Sequence, residues 1–156
     1  MNTDQIPEPH LNEIFRAEVQ IGAPVVIGQN DTIGKRQMIP IVSGIVSGKL
    51  NGIVLPGVDS QIIRPDGLTE LSARYALQLD DGEHIYIENN GMRRVDPAYA
   101  GAAAQGQIVD PQHVYFATVA KFETYSETYR WLERSVIISY ATRLPSSVLL
   151  CFYEIV

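Results

Sequence analysis

A chain of 156 residues has the size of one domain and can bury a core without disulfide or metal staples. Twelve basic against eighteen acidic residues leave a formal charge of −6. That is the wrong sign for gripping a phosphate backbone, and no Lys/Arg run offsets it, so nucleic acid is excluded as an expected partner. Cys151 is the single cysteine, which excludes an internal disulfide and a multi-cysteine metal site and fits a reducing compartment.

Residues 1–10, MNTDQIPEPH, form a polar leader with neither the basic nor the apolar region of a secretory signal. No apolar run reaches the roughly 18 residues that cross a bilayer, so the expectation is a cytoplasmic protein that does not associate with membranes. The sequon Asn30-Asp31-Thr32 is then expected to carry no sugar.

From residue 11 onward, short strand-like runs recur between Gly, Pro, Asn and Asp. They are Leu11 to Ile21, Gln37 to Val46, Lys49 to Leu55, Ser60 to Arg64, Leu71 to Leu79, His84 to Asn89, Val114 to Phe122, Tyr129 to Thr142 and Val148 to Val156. Turn signals fall between them at Ser47-Gly48, Pro56-Gly57, Pro65-Asp66-Gly67, Asp80-Asp81-Gly82 and Leu144-Pro145. The spacing predicts an all-β domain over residues 11–156, a barrel or a sandwich. One short helix is expected near 97–105, capped by Asp96, entered at Pro97 and ended by Gly106, covering a barrel opening or a sheet edge. The final strand is apolar on both faces, Val148, Leu150 and Phe152 against Leu149, Cys151, Tyr153 and Ile155. A covering layer is therefore expected outside it: the helix, the N-terminal segment or a second subunit, with a homodimer favoured.

Most chemical motifs fail. Ser47-Gly48-Lys49 lacks both anchors of a phosphate loop, no GxGxxG opens a helix, and no Gly-x-Ser-x-Gly elbow exists. The three histidines, His10, His84 and His113, lack metal-ligand spacing, so neither metal nor cofactor is expected. Cys151 reads as a small core residue.

The hairpin LSARYALQLDDGEHIYIENNG, 71–91, is the richest segment. A two-residue turn at Asp81-Gly82 pairs Leu77 with Tyr86, Tyr75 with Glu88 and Arg74 with Asn89. One face then gathers Tyr75, Tyr86 and Glu88, a set suited to acid-base work. The plainer reading is cross-strand aromatics, with Glu88 reaching solvent. Asp59 and Gln61 share a face of the preceding strand. Trp131 and Glu133 share another face, as a pocket wall beside an acid or as core.

The succession VLPGVDSQIIRPDG, ARYALQLDDGEHIYIENNG, YFATVAKFET and YRWLERSVIISYATR, ending in Tyr-Glu-Ile-Val, resembles a widespread bacterial and fungal family of unknown function, over residues 11–156. Its members are small antiparallel β-barrels similar to calycins and allene-oxide cyclases, which bind apolar molecules or act as isomerases and cyclases. Asp59, Arg74, Tyr75, Phe122 and Trp131 match its motifs. Two positions depart from them: an expected Asp-Trp-Gln reads Asp59-Ser60-Gln61, and an expected Trp-Leu-Asn reads Trp131-Leu132-Glu133. These departures imply extra space near Ser60 and an extra acid in a pocket specialised for another ligand.

The resulting expectation is a cofactor-free isomerase, cyclase or lyase that encloses an aromatic or polyketide-like molecule. Tyr75, Tyr86, Glu88 and Glu133 are its candidate catalytic groups, and Asp59, Gln61, Arg74, Phe122 and Trp131 its candidate substrate contacts. The alternative is a lipocalin-like carrier or sensor of an apolar ligand.

Overall fold

The structure is a computed structural model describing residues 3–156. Its strands are β1 (Leu11–Ile21), β2 (Val25–Asn30), β3 (Gly34–Gly48), β4 (Gly52–Val54), β5 (Gly57–Ile63), β6 (Thr69–Leu79), β7 (His84–Val95), β8 (Val114–Thr124), β9 (Ile137–Arg143) and β10 (Ser147–Ile155). Every pairing is antiparallel. β4 and β5 share one position, because both lie between β3 and β6, and Pro56 separates them where no ladder N–H is available. β1 pairs with both β10 and β3, so the sheet closes on itself as an eight-strand barrel. Closure leaves β2 outside the ring as an extension of the β3 ladder.

The strand periodicity works because alternate side chains point inward. Phe15, Leu77, Ile85, Ile87, Ile137 and Phe152 are fully buried and fill one end of the barrel. There Phe15 stacks on Phe152 at 4.2 Å between ring centroids, and Phe122 meets Phe15 edge-on at 6.1 Å. Leu132 closes this end from below, with Tyr129 and Trp131 packed beside it.

Three expectations change. Residues 129–134 belong to a 3-10 helix, Glu127–Arg134, instead of opening the ninth strand. Tyr129 and Leu132 are three apart, the spacing that places both on one side of a three-residue turn. β2 went unread because Val25, Val26 and Ile27 are all exposed, so its run lacks the alternation that marks a half-buried strand. The short helix is a 3-10 turn, Pro97–Tyr99, leading into α1 (Ala100–Ala104). Asp96 makes no side-chain cap there; its carboxylate meets His113 Nδ1 at 3.3 Å.

Among the described residues neither the helix nor the N-terminal segment closes over the outer face of β10, where Leu149 is 40% exposed. α1 stands instead at the other end of the barrel, where Ala103 and Ala104 line the mouth. Among the described residues no helix is long and apolar enough to cross a membrane.

Candidate functional site

The 71–91 hairpin turns through three residues, Asp80, Asp81 and Gly82. Gly82 N–H donates to Leu79 O at 2.9 Å, Leu79 N–H donates to Glu83 O at 2.8 Å, and Gly82 takes the left-handed conformation at φ 89°. The longer turn moves the register by one residue from the sequence expectation. Tyr75 stands opposite Ile87, Ala76 opposite Tyr86, and Arg74 opposite Glu88. Because the side-chain period is two, this slip separates the expected cluster. Tyr75 points inward and is 5% exposed, whereas Tyr86 and Glu88 lie on the outer wall. Outside, the Tyr86 hydroxyl donates to Glu88 Oε1 at 3.3 Å and Arg74 Nη2 meets Glu88 Oε2 at 3.6 Å, a solvated polar seam.

Glu133 and Phe122 line a pocket of about 350 Å³ that also bears Glu88, and Trp131 packs against the core at the closed end. Glu133 Oε1 accepts from the Thr124 backbone N–H at 2.9 Å, tying the 3-10 helix to β8. Phe122 belongs to the aromatic core, and the Lys49 ammonium sits 5.6 Å from the Trp131 ring. Ser60 also faces outward, where its Oγ accepts from Arg36, so its small size opens no room inside.

The open end is different in character. A cavity of about 320 Å³ lies under α1, walled by Ile39, Ile63, Leu71, Phe116 and Val148 and bearing Lys35, Gln37, Asp59, Gln61, Thr69, Arg93 and Arg143. It shares Asp59, Leu71, Phe116 and Val148 with a deeper chamber of about 60 Å³ that adds Tyr75, Asn89 and Thr118. Asp59 and Gln61, candidates from the sequence, meet here with Tyr75.

The Asp59 carboxylate is held at both oxygens. Ser72 backbone N–H donates to Oδ1 at 3.0 Å and Gln61 Nε2 donates to Oδ2 at 2.7 Å. Gln61 Oε1 in turn accepts from Gln37 Nε2 at 2.9 Å, a buried link across β3 and β5. Burial raises the Asp59 pKa from its ordinary value, against the opposing effects of these hydrogen bonds and of Arg143. Burial, and after it the nearby Asp59 charge, also raises the Tyr75 pKa, so its phenol stays protonated at neutral pH. Gly57 lets β5 approach β6 here: a Cβ on it would stand 2.3 Å from Arg74 O and 2.7 Å from Tyr75 Cβ.

Three buried polar atoms among the described residues lack a hydrogen-bond partner, Asn89 Oδ1, Arg93 Nε and Arg143 Nε, and all three residues line these chambers. The sequence expectation pairs Asn89 with Arg74 and does not include Gln37, Arg93 or Arg143. Asn89 had a visible signal, since it shares a period of two with Ile85 and Ile87. Arg93 continues that phase beyond Asn89, where the expected strand stopped. The outer wall carries a larger but open groove of about 680 Å³ lined by Arg16, Glu18, Tyr115, Tyr140 and Leu149, with no amide side chain among its walls. Among the described residues, no three His, Cys, Asp or Glu side chains form a metal-binding group.

A family model described as a protein of unknown function (DUF3237) matches residues 9–155. The chain belongs to this family. The resemblance carried by the 54–91 and 115–143 motifs is thereby borne out. A UPF0311 protein of Clostridium acetobutylicum is 52% identical over 157 residues, covering 99% of each chain. A crystal structure from that species, of a protein of unknown function, matches with a TM-score of 0.92 at 52% identity, covering 97% of this chain and all of that one. A β-barrel-like protein of Acinetobacter baumannii gives 0.84 at 35% identity, over 96% and 98% of the two chains. An enzyme of Penicillium herquei gives 0.74 at 20% identity, over 97% and 98%, a likeness of fold alone.

Proposed function

We propose that this DUF3237 protein is a cofactor-free enzyme that isomerises, cyclises or eliminates a small organic molecule by proton transfer at the open end of the barrel. The observation that carries the reading is the convergence of Asp59 and Tyr75 on one sheltered, largely apolar-walled chamber. Asp59 is the proton carrier. Its raised pKa brings it closer to the operating pH, and its two fixed hydrogen bonds aim the carboxylate without rotamer search. Tyr75, kept as the neutral phenol, supplies an O–H donor for oxyanion charge that develops on the substrate. The walls of Leu71, Phe116 and Val148 confine the substrate near its reactive geometry, which lowers the entropic part of the barrier. A carrier of apolar ligands would need only an apolar cup. An acid, a phenol and three amide side chains facing inward favour catalysis. That the fold-level neighbour from Penicillium herquei is an enzyme is consistent with this reading.

The test is hydrogen–deuterium exchange by NMR on a panel of enolisable aromatic ketones in deuterium oxide. The wild-type protein is expected to catalyse exchange into at least one member, and Asp59→Asn to slow it by about 100-fold or more. Equal rates for wild type and Asp59→Asn would overturn the assignment.

A further inference from the structure

Resting on the reading of the open-end cavity as a substrate site, we infer that its ligand is a small aromatic or apolar carboxylate, whose anionic group is held by Arg93 and Arg143. The two arginines reach the same chamber from the mouth ends of β7 and β9. Among the described residues neither has a carboxylate within ion-pairing distance. The Nε of each is buried and lacks a hydrogen-bond partner. Lys35 lines the same cavity, and Asp59 is its only acid, already accepting hydrogen bonds at both oxygens. Three cations against one acid give the cavity a local charge of +2 in a chain whose formal charge is −6.

Both arginines are half-buried as residues, but a guanidinium N–H shielded from water without an acceptor keeps the cost of desolvation, and Asp59, whose charge reaches Arg143 from beyond ion-pairing distance, leaves both Nε–H groups without one. A bound anion supplies the missing partner. A carboxylate suits the donors, since its two coplanar oxygens accept from guanidinium N–H groups, the geometry arginine favours over lysine. The remaining walls, Ile39, Ile63, Leu71, Phe116 and Val148, ask for an apolar body behind that headgroup. With the carboxylate anchored at the mouth, the body extends inward past Asp59 toward Tyr75 and Asn89, where the proton moves.

Isothermal titration calorimetry with benzoate, the isosteric neutral benzamide and inorganic phosphate tests this. Benzoate is expected to bind at least tenfold more tightly than benzamide and phosphate. Arg93→Met and Arg143→Met are each expected to lose at least tenfold for benzoate with benzamide unchanged, with the fold checked by circular dichroism. Should either variant fail to fold, the wild-type protein still decides: benzoate, and not benzamide, is expected to shift the Nε–H NMR signals of Arg93 and Arg143. Benzamide binding as well as benzoate, or unshifted arginine signals, would overturn the anion while leaving a neutral-ligand pocket and the Asp59 exchange test standing. Phosphate binding more tightly than benzoate would overturn the carboxylate, and no benzoate binding at millimolar concentration would overturn the inference outright.

Discussion

Gln61 Nε2 donates a 2.7 Å hydrogen bond to Asp59 Oδ2, two residues back along the same strand, while its own Oε1 accepts from Gln37. Two residues is the period of a strand, so both side chains enter the barrel from one face and the amide can brace the acid. The carboxylate is thereby fixed in direction and kept in a partly desolvated setting, the two conditions proton transfer needs.

Stability should register that setting through pH. The folded-state pKa of Asp59 is raised, so folding disfavours its charged form. Its contribution is fully present below the unfolded value of about 3.9 and is lost as pH rises through the folded pKa. Asp59→Asn is therefore expected to gain stability relative to wild type as pH rises from about 4. Urea denaturation across pH checks this; an Asp59→Asn variant that loses stability relative to wild type over that rise would contradict it.

Gln61→Leu removes the brace and leaves Gln37 Nε2 and one Asp59 oxygen without their partners. A cost of about 1–3 kcal/mol is expected, together with a slower exchange reaction. Chemical denaturation and the NMR exchange assay read the two effects separately.

Binding of an anion beside Asp59 should itself depend on pH. Ionised Asp59 repels a bound carboxylate, so benzoate affinity is expected to fall as pH rises through the raised Asp59 pKa, and Asp59→Asn to flatten that fall. Calorimetric titrations at several pH values, with both proteins, would show it.

On the outer wall, Tyr86→Phe, Glu88→Gln and Arg74→Ala disturb a solvated seam outside the interior chambers, beside the pocket of Glu88, Phe122 and Glu133. Each is expected to change stability by less than about 1 kcal/mol and to leave turnover intact. Loss of turnover in Glu88→Gln with the fold preserved would return the chemistry to the outer face.

At the closed end Phe152 is fully buried between Phe15 and Phe122. Phe152→Ala is expected to cost about 3–5 kcal/mol, read as a lowered unfolding midpoint in denaturant.

The barrel was legible because its strands alternate: β1 is bounded at Leu11 and Ile21 as the periodicity predicts, and β6 and β10 lie within two residues of expectation. The site was only half legible. Local sequence places Asp59 and Gln61 on one face and Tyr75 on the apolar phase of its strand, and barrel closure turns both inward. The partners of Tyr75 depend instead on whether the Asp80-Asp81-Gly82 turn holds two residues or three, and one residue exchanges the two faces of β7. Arg93 and Arg143 read locally as surface charge at strand ends, and only closure of the barrel brings them to one cavity. The Tyr129–Arg134 segment misled for a similar reason, since its apolar residues fit either a strand or a tight helix until the end that they plug is in place.

The interior site is tested most directly by a crystal structure of the protein incubated with an extract of its own cells. Density for an organic molecule is expected in the open-end cavity, with polar atoms at Arg93 and Arg143 and its body beside Asp59 and Tyr75. A molecule bound only in the outer groove by Tyr115, Tyr140 and Leu149, with the interior chamber empty, would contradict it.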